Sequence, residues 1–359
     1  MNTRLAVIGC GVIGRLHAQT IRALAPRAEL AVVVDRLAER ATALGSEFGV
    51  DAETDLAAVF TRADIDAVTI CIPSGGHADA AVPALEHGKH VIIEKPIDVT
   101  LAAARRIRDA EAASAATVMV VSQHRYERAS QVVHAAARGG RFGRITSGSA
   151  HMPWWRSQAY YDSAGWRGTR ALDGGGAVMN QGHHFVDLLV WFLGEPVEVF
   201  AWTDRLVHER IEVEDVAGAT IRFADGTLGV VQATTAAYPG LGTTVGVYGD
   251  RGSAVIEDDR LVYFHAAKRD DPPAYDYGAP GDVNQATEVL PGVRDAQGAP
   301  AIAGLAATSH TAQFIDFLDA VEEGRPPLVT TEEAIRTLAV ICAMYESART
   351  SAPVRLDDL

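Results

Sequence analysis

The sequence predicts an α/β protein in two parts: a doubly wound parallel sheet at the amino end, then a domain with a mostly antiparallel sheet. Three observations predict it. Short apolar runs alternate with helical periodicity from Leu5 to Ser122. After Gln123 the strand-like runs follow one another directly, with Asp225-Gly226 as a hairpin turn signal between two of them. A chain of 359 residues is also long for one domain and comfortable for two, here 1–123 and 124–359.

Leu5 to Ile8 is the first strand, and Gly9-Cys10-Gly11-Val12-Ile13-Gly14 follows at once. Val12, Ile13, Leu16, Ile21 and Leu24 then recur at helical spacing, so the glycines occupy a strand-to-helix turn. In a dinucleotide-binding fold Gly9 permits the tight turn, Gly11 admits the pyrophosphate and Gly14 allows close helix packing. The exposed N–H groups of the helix start, around Val12 and Ile13, face the phosphates. A second strand, Glu29 to Val34, ends in Asp35. That carboxylate either receives the ribose hydroxyls of NAD or caps the helix Leu37 to Phe48. It repels a 2′-phosphate and so favours NAD over NADP, while Arg36 beside it keeps NADP open.

Helix Asp55 to Phe60, strand Ile65 to Cys71, helix His77 to Glu86, strand His90 to Ile93, helix Leu101 to Ala113 and strand Thr117 to Ser122 complete the alternation. Pro73, Ser74 and His77 fall at a strand's carboxyl end, where backbone meets the nucleotide; His77 reads equally as the first turn of a helix. Glu94-Lys95-Pro96 falls at the next such end, where a lysine serves as charge clamp or proton donor. The sequence leaves open whether the bond before Pro96 is cis.

Beyond Gln123 come helix Ala129 to Arg138 and strands near 146–151, 197–204, 215–223, 227–236, 243–248, 253–256 and 261–265. Residues 268–300 read as a long loop, either a lid or an interface arm. Helices Ser309 to Glu323 and Thr331 to Thr350 close the chain. The chemical centre is Asp173 to Leu189, with a glycine triplet and a helix starting near Gln181. On a continuous helix Asn180, His184 and Asp187 share a face, which would fix the His184 tautomer and let it act as a base. A buried structural histidine is the competing reading. The stretches Trp154 to Asp162 and Trp166 to Thr169 form a polar–aromatic cluster, with Tyr160, Trp166 and Arg167 as substrate-binding candidates.

A net charge of −14 argues against nucleic acid or anionic membrane as partner. Cys10, Cys71 and Cys342 are few and scattered, as in a reducing cytosol. The opening apolar stretch is too short for a signal peptide, and no run approaches the ~20 residues that span a bilayer. A cytoplasmic protein is expected, with no metal.

Taken together, Gly9-x-Gly11-x-x-Gly14, Glu94-Lys95-Pro96, Gly174-Gly175-Gly176, Gly182-x-His184-x-x-Asp187 and the terminal helices resemble the Gfo/Idh/MocA family nearly end to end. The resemblance implies an N-terminal Rossmann domain and a C-terminal α/β domain with a large open sheet whose outer face joins homodimers or homotetramers. The C-terminal helices would pack back on the Rossmann domain. It also implies NAD-dependent oxidation of a secondary hydroxyl on a sugar or cyclic polyol. Lys95 would hydrogen-bond the reacting hydroxyl and His184 remove its proton as hydride passes to nicotinamide C4. Glu94 and Gln123 would line the nicotinamide side. Many members carry aspartate where this chain has Asn180, which orients but cannot stabilise an imidazolium and so shifts proton chemistry to Lys95. Two other activities occur in such a family: redox-neutral glycosidase or lyase chemistry through transient oxidation, and non-catalytic NAD-binding regulation. Retention of Lys95 and His184 disfavours the last.

Overall fold

The structure, a computed structural model, describes residues 2–268, 284–291 and 304–359. It comprises two compact units: residues 1–123, 169–174 and 302–338 in one, and 124–168, 175–301 and 339–359 in the other.

In the first unit the chain runs β1 (Thr3–Ile8), α1 (Val12–Ala23), β2 (Ala28–Val34), α2 (Ala38–Phe48), β3 (Asp51–Glu53), α3 (Leu56–Phe60), β4 (Ala67–Ile70), α4 (His77–Glu86), β5 (His90–Ile93), α5 (Leu101–Ala112) and β6 (Val118–Val120). The strands form one sheet in the order β3-β2-β1-β4-β5-β6, parallel at every pairing. The expected doubly wound sheet is therefore present, with the strand order reversing between β1 and β4, where such folds bind their ligands. Its inner strands are mostly apolar and buried, as a sheet with helices on both faces requires, with Thr69 the buried polar residue of β4. The polar edge strand β3 carries no such signal and escaped the sequence reading. Phe314, Phe317 and Leu318 complete the core formed by Leu5, Val7, Ile21, Ile92 and Met119. One expectation is corrected: α1 buries Gly14, His17, Ala18, Thr20 and Ile21, while Val12 and Ile13 are 86% and 40% exposed. They lie over the glycine turn rather than in the apolar stripe.

The second unit opens with α6 (Arg128–Arg138), β7 (Ile145–Pro153) and α7 (Gln158–Asp162), then a π-helical turn over Ala177–Gly182 and α8 (His183–Leu193). Strands β8 (Pro196–Asp204), β9 (Val216–Phe223), β10 (Leu228–Thr234), β11 (Thr244–Gly249), β12 (Gly252–Glu257) and β13 (Arg260–Ala266) follow. A short helix α9 (Ala286–Val289), then α10 (Gly304–Glu323), α11 (Thr331–Thr350) and β14 (Val354–Arg355) end the chain. The sheet order is β13-β12-β11-β7-β10-β9-β8-β14, antiparallel except for β10 beside β7. The Asp225-Gly226 turn joins β9 to β10 as expected, with Gly226 at φ +90. Of the stretch 268–300, read from sequence as a long loop, only Lys268 and 284–291 lie within the described residues.

One face of this sheet is covered by α8, whose eleven residues are all buried. Its one carboxylate must find a partner inside the protein. Asp187 does so in a two-pronged pair, accepting from Arg125 Nε and Nη2 at 2.7 Å each. The two side chains are 0% and 2% exposed. Removing one partner leaves a bare buried charge, so Asp187→Ala should lower the unfolding free energy by about 3–5 kcal/mol. Denaturant titration checks this, and a loss below ~1 kcal/mol would mean that water reaches the pair.

Candidate active site

The first unit gathers its candidate residues at the carboxyl ends of β1, β2, β4 and β5. Gly9, at φ +98, passes so close to β4 that a Cβ would meet the Cys71 carbonyl oxygen at 2.6 Å. At Gly14 a Cβ would meet the Gly9 carbonyl oxygen at 1.8 Å, whereas at Gly11 it would meet nothing within 4 Å. The turn is thus closed below and open above, the shape of a phosphate cradle at the start of α1. Asp35 locks it: Oδ2 accepts from Cys10 N and Oδ1 from Leu37 N, both at 2.9 Å. Asp35 therefore does not cap α2, whose N-cap is Leu37. A carboxylate accepts about four hydrogen bonds, so Asp35 retains capacity for ribose hydroxyls. Arg36 beside it is exposed. These residues fit NAD.

Pro73 and Ser74 enter a single 3-10 turn, Ser74–Gly76, fixed by Gly75 N donating to Leu172 O at 3.0 Å. His77 departs from its expected cofactor role. It is fully buried, and its Nδ1 and Nε2 bond the carbonyls of Pro96 (2.8 Å) and Ile72 (3.0 Å). The ring is spent on tying the loop after β4 to the loop after β5, and no ring nitrogen is left for a ligand.

Glu94, expected on the nicotinamide side, turns inward, 8% exposed, with Oε1 3.1 Å from His17 Nε2 and Oε2 accepting from Lys95 N at 3.1 Å. Burial alone would raise its pKa, but hydrogen bonding and charge from His17, with His310 and Lys95 adding to it, hold it down at about 2. Burial alone would lower that of His17; Cys71 and Glu94 reverse this and lift it from 6.5 to about 10. His17 Nδ1 is 2.7 Å from Thr69 Oγ1 and 3.2 Å from Cys71 Sγ. Although ligand atoms of His17, Glu94 and His310 lie within 4.8 Å of one another, the His17 ring is committed on both sides, and the group reads as a buried ion pair. It holds the backbone from which half-buried Lys95 projects, and the bond to Pro96 is cis. Among the sequence candidates His17 was missed, its only signal being a histidine on the buried face of α1.

In the second unit Tyr160, Trp166, Arg167 and Asn180 converge, and Gln181 joins them. Tyr160 OH accepts from Arg167 Nη1 at 2.6 Å and Gln181 Nε2 at 2.8 Å, and Gln181 also donates to Asn180 Oδ1 at 2.7 Å. Arg156 Nε donates to Gln181 Oε1 at 3.0 Å. Of the residues expected to share a helical face, His184 and Asp187 lie three apart on α8, while Asn180 falls outside that helix. Residues 177–182 wind as a π turn, marked by Gln181 N to Gly176 O at 3.3 Å, and Asp187 serves Arg125. The turn is set by Glu214, which accepts from Val178 N (2.8 Å), Gly176 N (3.1 Å) and Tyr345 OH (3.0 Å). Burial raises the Glu214 pKa despite these bonds.

His184, 8% exposed, begins α8 beside His183, 3% exposed. Its ring neighbour is His124, with centroids 4.9 Å apart, and His124 Nδ1 lies 2.6 Å from Asp259 Oδ1. Half-buried Gln123 opens the turn that carries His124. His124 and Asp259 were not candidates; a histidine next to Gln123 was the only hint.

Comparison with known proteins agrees with this geometry. Residues 3–122 match the model of the oxidoreductase family with an NAD-binding Rossmann fold, and residues 130–255 match the GFO/IDH/MocA C-terminal domain. An inositol 2-dehydrogenase from Rhizobium meliloti (strain 1021) is 28% identical over 77% of this chain and 83% of its own. The scyllo-inositol 2-dehydrogenase (NAD(+)) of Bacillus subtilis (strain 168) is 26% identical over 99% and 96%. The WlbA dehydrogenase from Bordetella pertussis, solved with NADH and UDP-GlcNAcA, superposes with a TM-score of 0.85 at 28% identity, covering 99% of both chains.

The His17–Glu94 pair sets a pH dependence. A histidine raised from 6.5 to about 10 contributes stability fully below pH 6.5 and loses it as pH rises through 10. A glutamate lowered from 4.5 to about 2 contributes above pH 4.5 and loses it as pH falls through 2. The gap in melting temperature between the wild type and His17→Leu should be widest between pH 4.5 and 6.5 and close toward alkaline pH. A gap independent of pH would mean that His17 is neutral.

Proposed function

The chain belongs to the Gfo/Idh/MocA oxidoreductases and uses NAD, and we propose that it oxidises a secondary hydroxyl of a sugar or cyclic polyol. The observation that carries this is Lys95 at the carboxyl end of β5, in the same parallel sheet as the nucleotide cradle. Relatives named for inositol supply the substrate class. NAD, when bound, supplies the hydride acceptor. Gly9, Gly11 and Gly14 receive its pyrophosphate beside Val12 and Ile13, and Asp35 its ribose.

Lys95 donates a hydrogen bond to the reacting oxygen and holds the proton balance there. His184 accepts the hydroxyl proton, with His124 and Asp259 as neighbours through which charge is spread. Asn180 is tied through Gln181 to Tyr160 and Arg167, so it orients ligand hydroxyls without adding charge. Trp166 offers an aromatic face to a sugar ring. Free cysteines at positions 10, 71 and 342 support a cytosolic setting, and no helix among the described residues is long and apolar enough to cross a membrane.

The outer face of the second sheet exposes Trp202 (61%), Leu228 (50%) and Val230 (49%). A second copy of the chain covers this patch in our reading. Trp202→Glu with Val230→Lys should then convert a dimer or tetramer to monomer in sedimentation velocity, and an unchanged oligomer would move the interface elsewhere.

The activity itself is tested by NADH absorbance on a panel of inositols, neutral pyranoses and hexuronates. Lys95→Ala should cut kcat by about 10²–10⁴-fold and leave NADH fluorescence titration within a few-fold of wild type. Absence of NADH across the panel would refute the dehydrogenase reading, and undiminished kcat in the variant would refute the role of Lys95.

A further inference from the structure

Two guanidiniums share the ring of Tyr160, with Arg167 4.3 Å and Arg156 5.4 Å from its centroid. Both are half-buried. Each is held by neutral groups. Arg167 also stacks 4.6 Å from Trp166 and donates through Nη1 to Tyr160 OH. Arg156 lies 4.9 Å from Trp154 and donates to Gln181 Oε1 and Trp155 O. Stacking occupies the faces of a guanidinium and leaves its edges for hydrogen bonds.

The surrounding carboxylates are committed elsewhere. Asp162 pairs with Arg210 at 2.7 Å, Asp215 with His208 at 2.9 Å and Asp187 with Arg125 at 2.7 Å. Glu214 is spent on the π turn and Tyr345. Among the described residues neither Arg156 nor Arg167 meets an acid, and Arg167 Nε is buried with no hydrogen-bond partner. In a chain of net charge −14, two adjacent uncompensated cations with a buried donor left over are costly. An anion on the ligand would relieve that cost, and a carboxylate matches an arginine edge with two parallel hydrogen bonds.

We propose that Arg156 and Arg167 bind a carboxylate of the substrate, which makes the substrate class acidic sugars, of the uronate kind, rather than neutral polyols. This rests on the sugar-oxidising reading above, but a binding measurement tests it apart from turnover. Calorimetry on the protein saturated with NADH compares hexuronates with the hexoses of the same ring configuration. At least one uronate should bind about ten-fold or more tighter than its hexose, an advantage of about 1.4 kcal/mol. That ratio should shrink with added salt and collapse toward one in Arg167→Gln and Arg156→Gln. Each ratio is taken within one protein, so a general loss of fold in a variant lowers both affinities alike. Hexoses binding as well as their uronates, or a preference that survives both substitutions, would overturn the proposal and leave the dehydrogenase reading standing. Failure of NADH production in the separate assay would remove that reading without touching the binding result.

Discussion

The buried pair between Arg125 and Asp187 is the constraint around which the second unit is arranged. A carboxylate on a helix wrapped on every side needs a partner inside the protein, and here a cation accompanies it inward. Arg125 comes from the short turn that begins at Gln123, so meeting this electrostatic need also pins that turn against α8. His124, the next residue, is thereby delivered to the His184 ring. The helix that holds the candidate base and the turn that flanks it are positioned by one interaction.

Much of the fold was legible because its signals are local. Parallel strands covered on both faces read as nearly continuous apolar runs, and Leu5 to Ile8 and Val91 to Ile93 say so in consecutive residues, with buried Thr69 interrupting the run in β4. The glycine turn was legible for a steric reason, since no other residue fits against the Gly9 and Cys71 carbonyls. What stayed hidden was long-range. Asp51 to Glu53 is a strand only because β2 lies beside it. The π turn at 177–182 depends on Glu214, more than thirty residues away, and its wider winding alters the spacing expected between Asn180 and His184.

The candidate site divides along the same line. Residue types singled out neighbours where chemistry alone chose them: Asp35 does lie at the glycine turn, and the aromatic–arginine cluster does assemble. Direction was not readable. Glu94 and His77 occupy the strand ends where ligands bind, yet both point into the protein, because His17 and two backbone carbonyls claim them first. These two polar residues at strand carboxyl ends support the surface around them instead of forming it.

The first unit is assembled from three separated stretches of chain, 1–123, 169–174 and 302–338. Residues 169–174 supply the Leu172 carbonyl that holds Gly75, and the last stretch supplies Val329 O to Val120 N and Gln313 Oε1 to Ser122 N. A nucleotide module cut at residue 123 would lose all three acceptors and its Phe314–Phe317 packing. Shuffling such a module between proteins therefore requires three simultaneous splices.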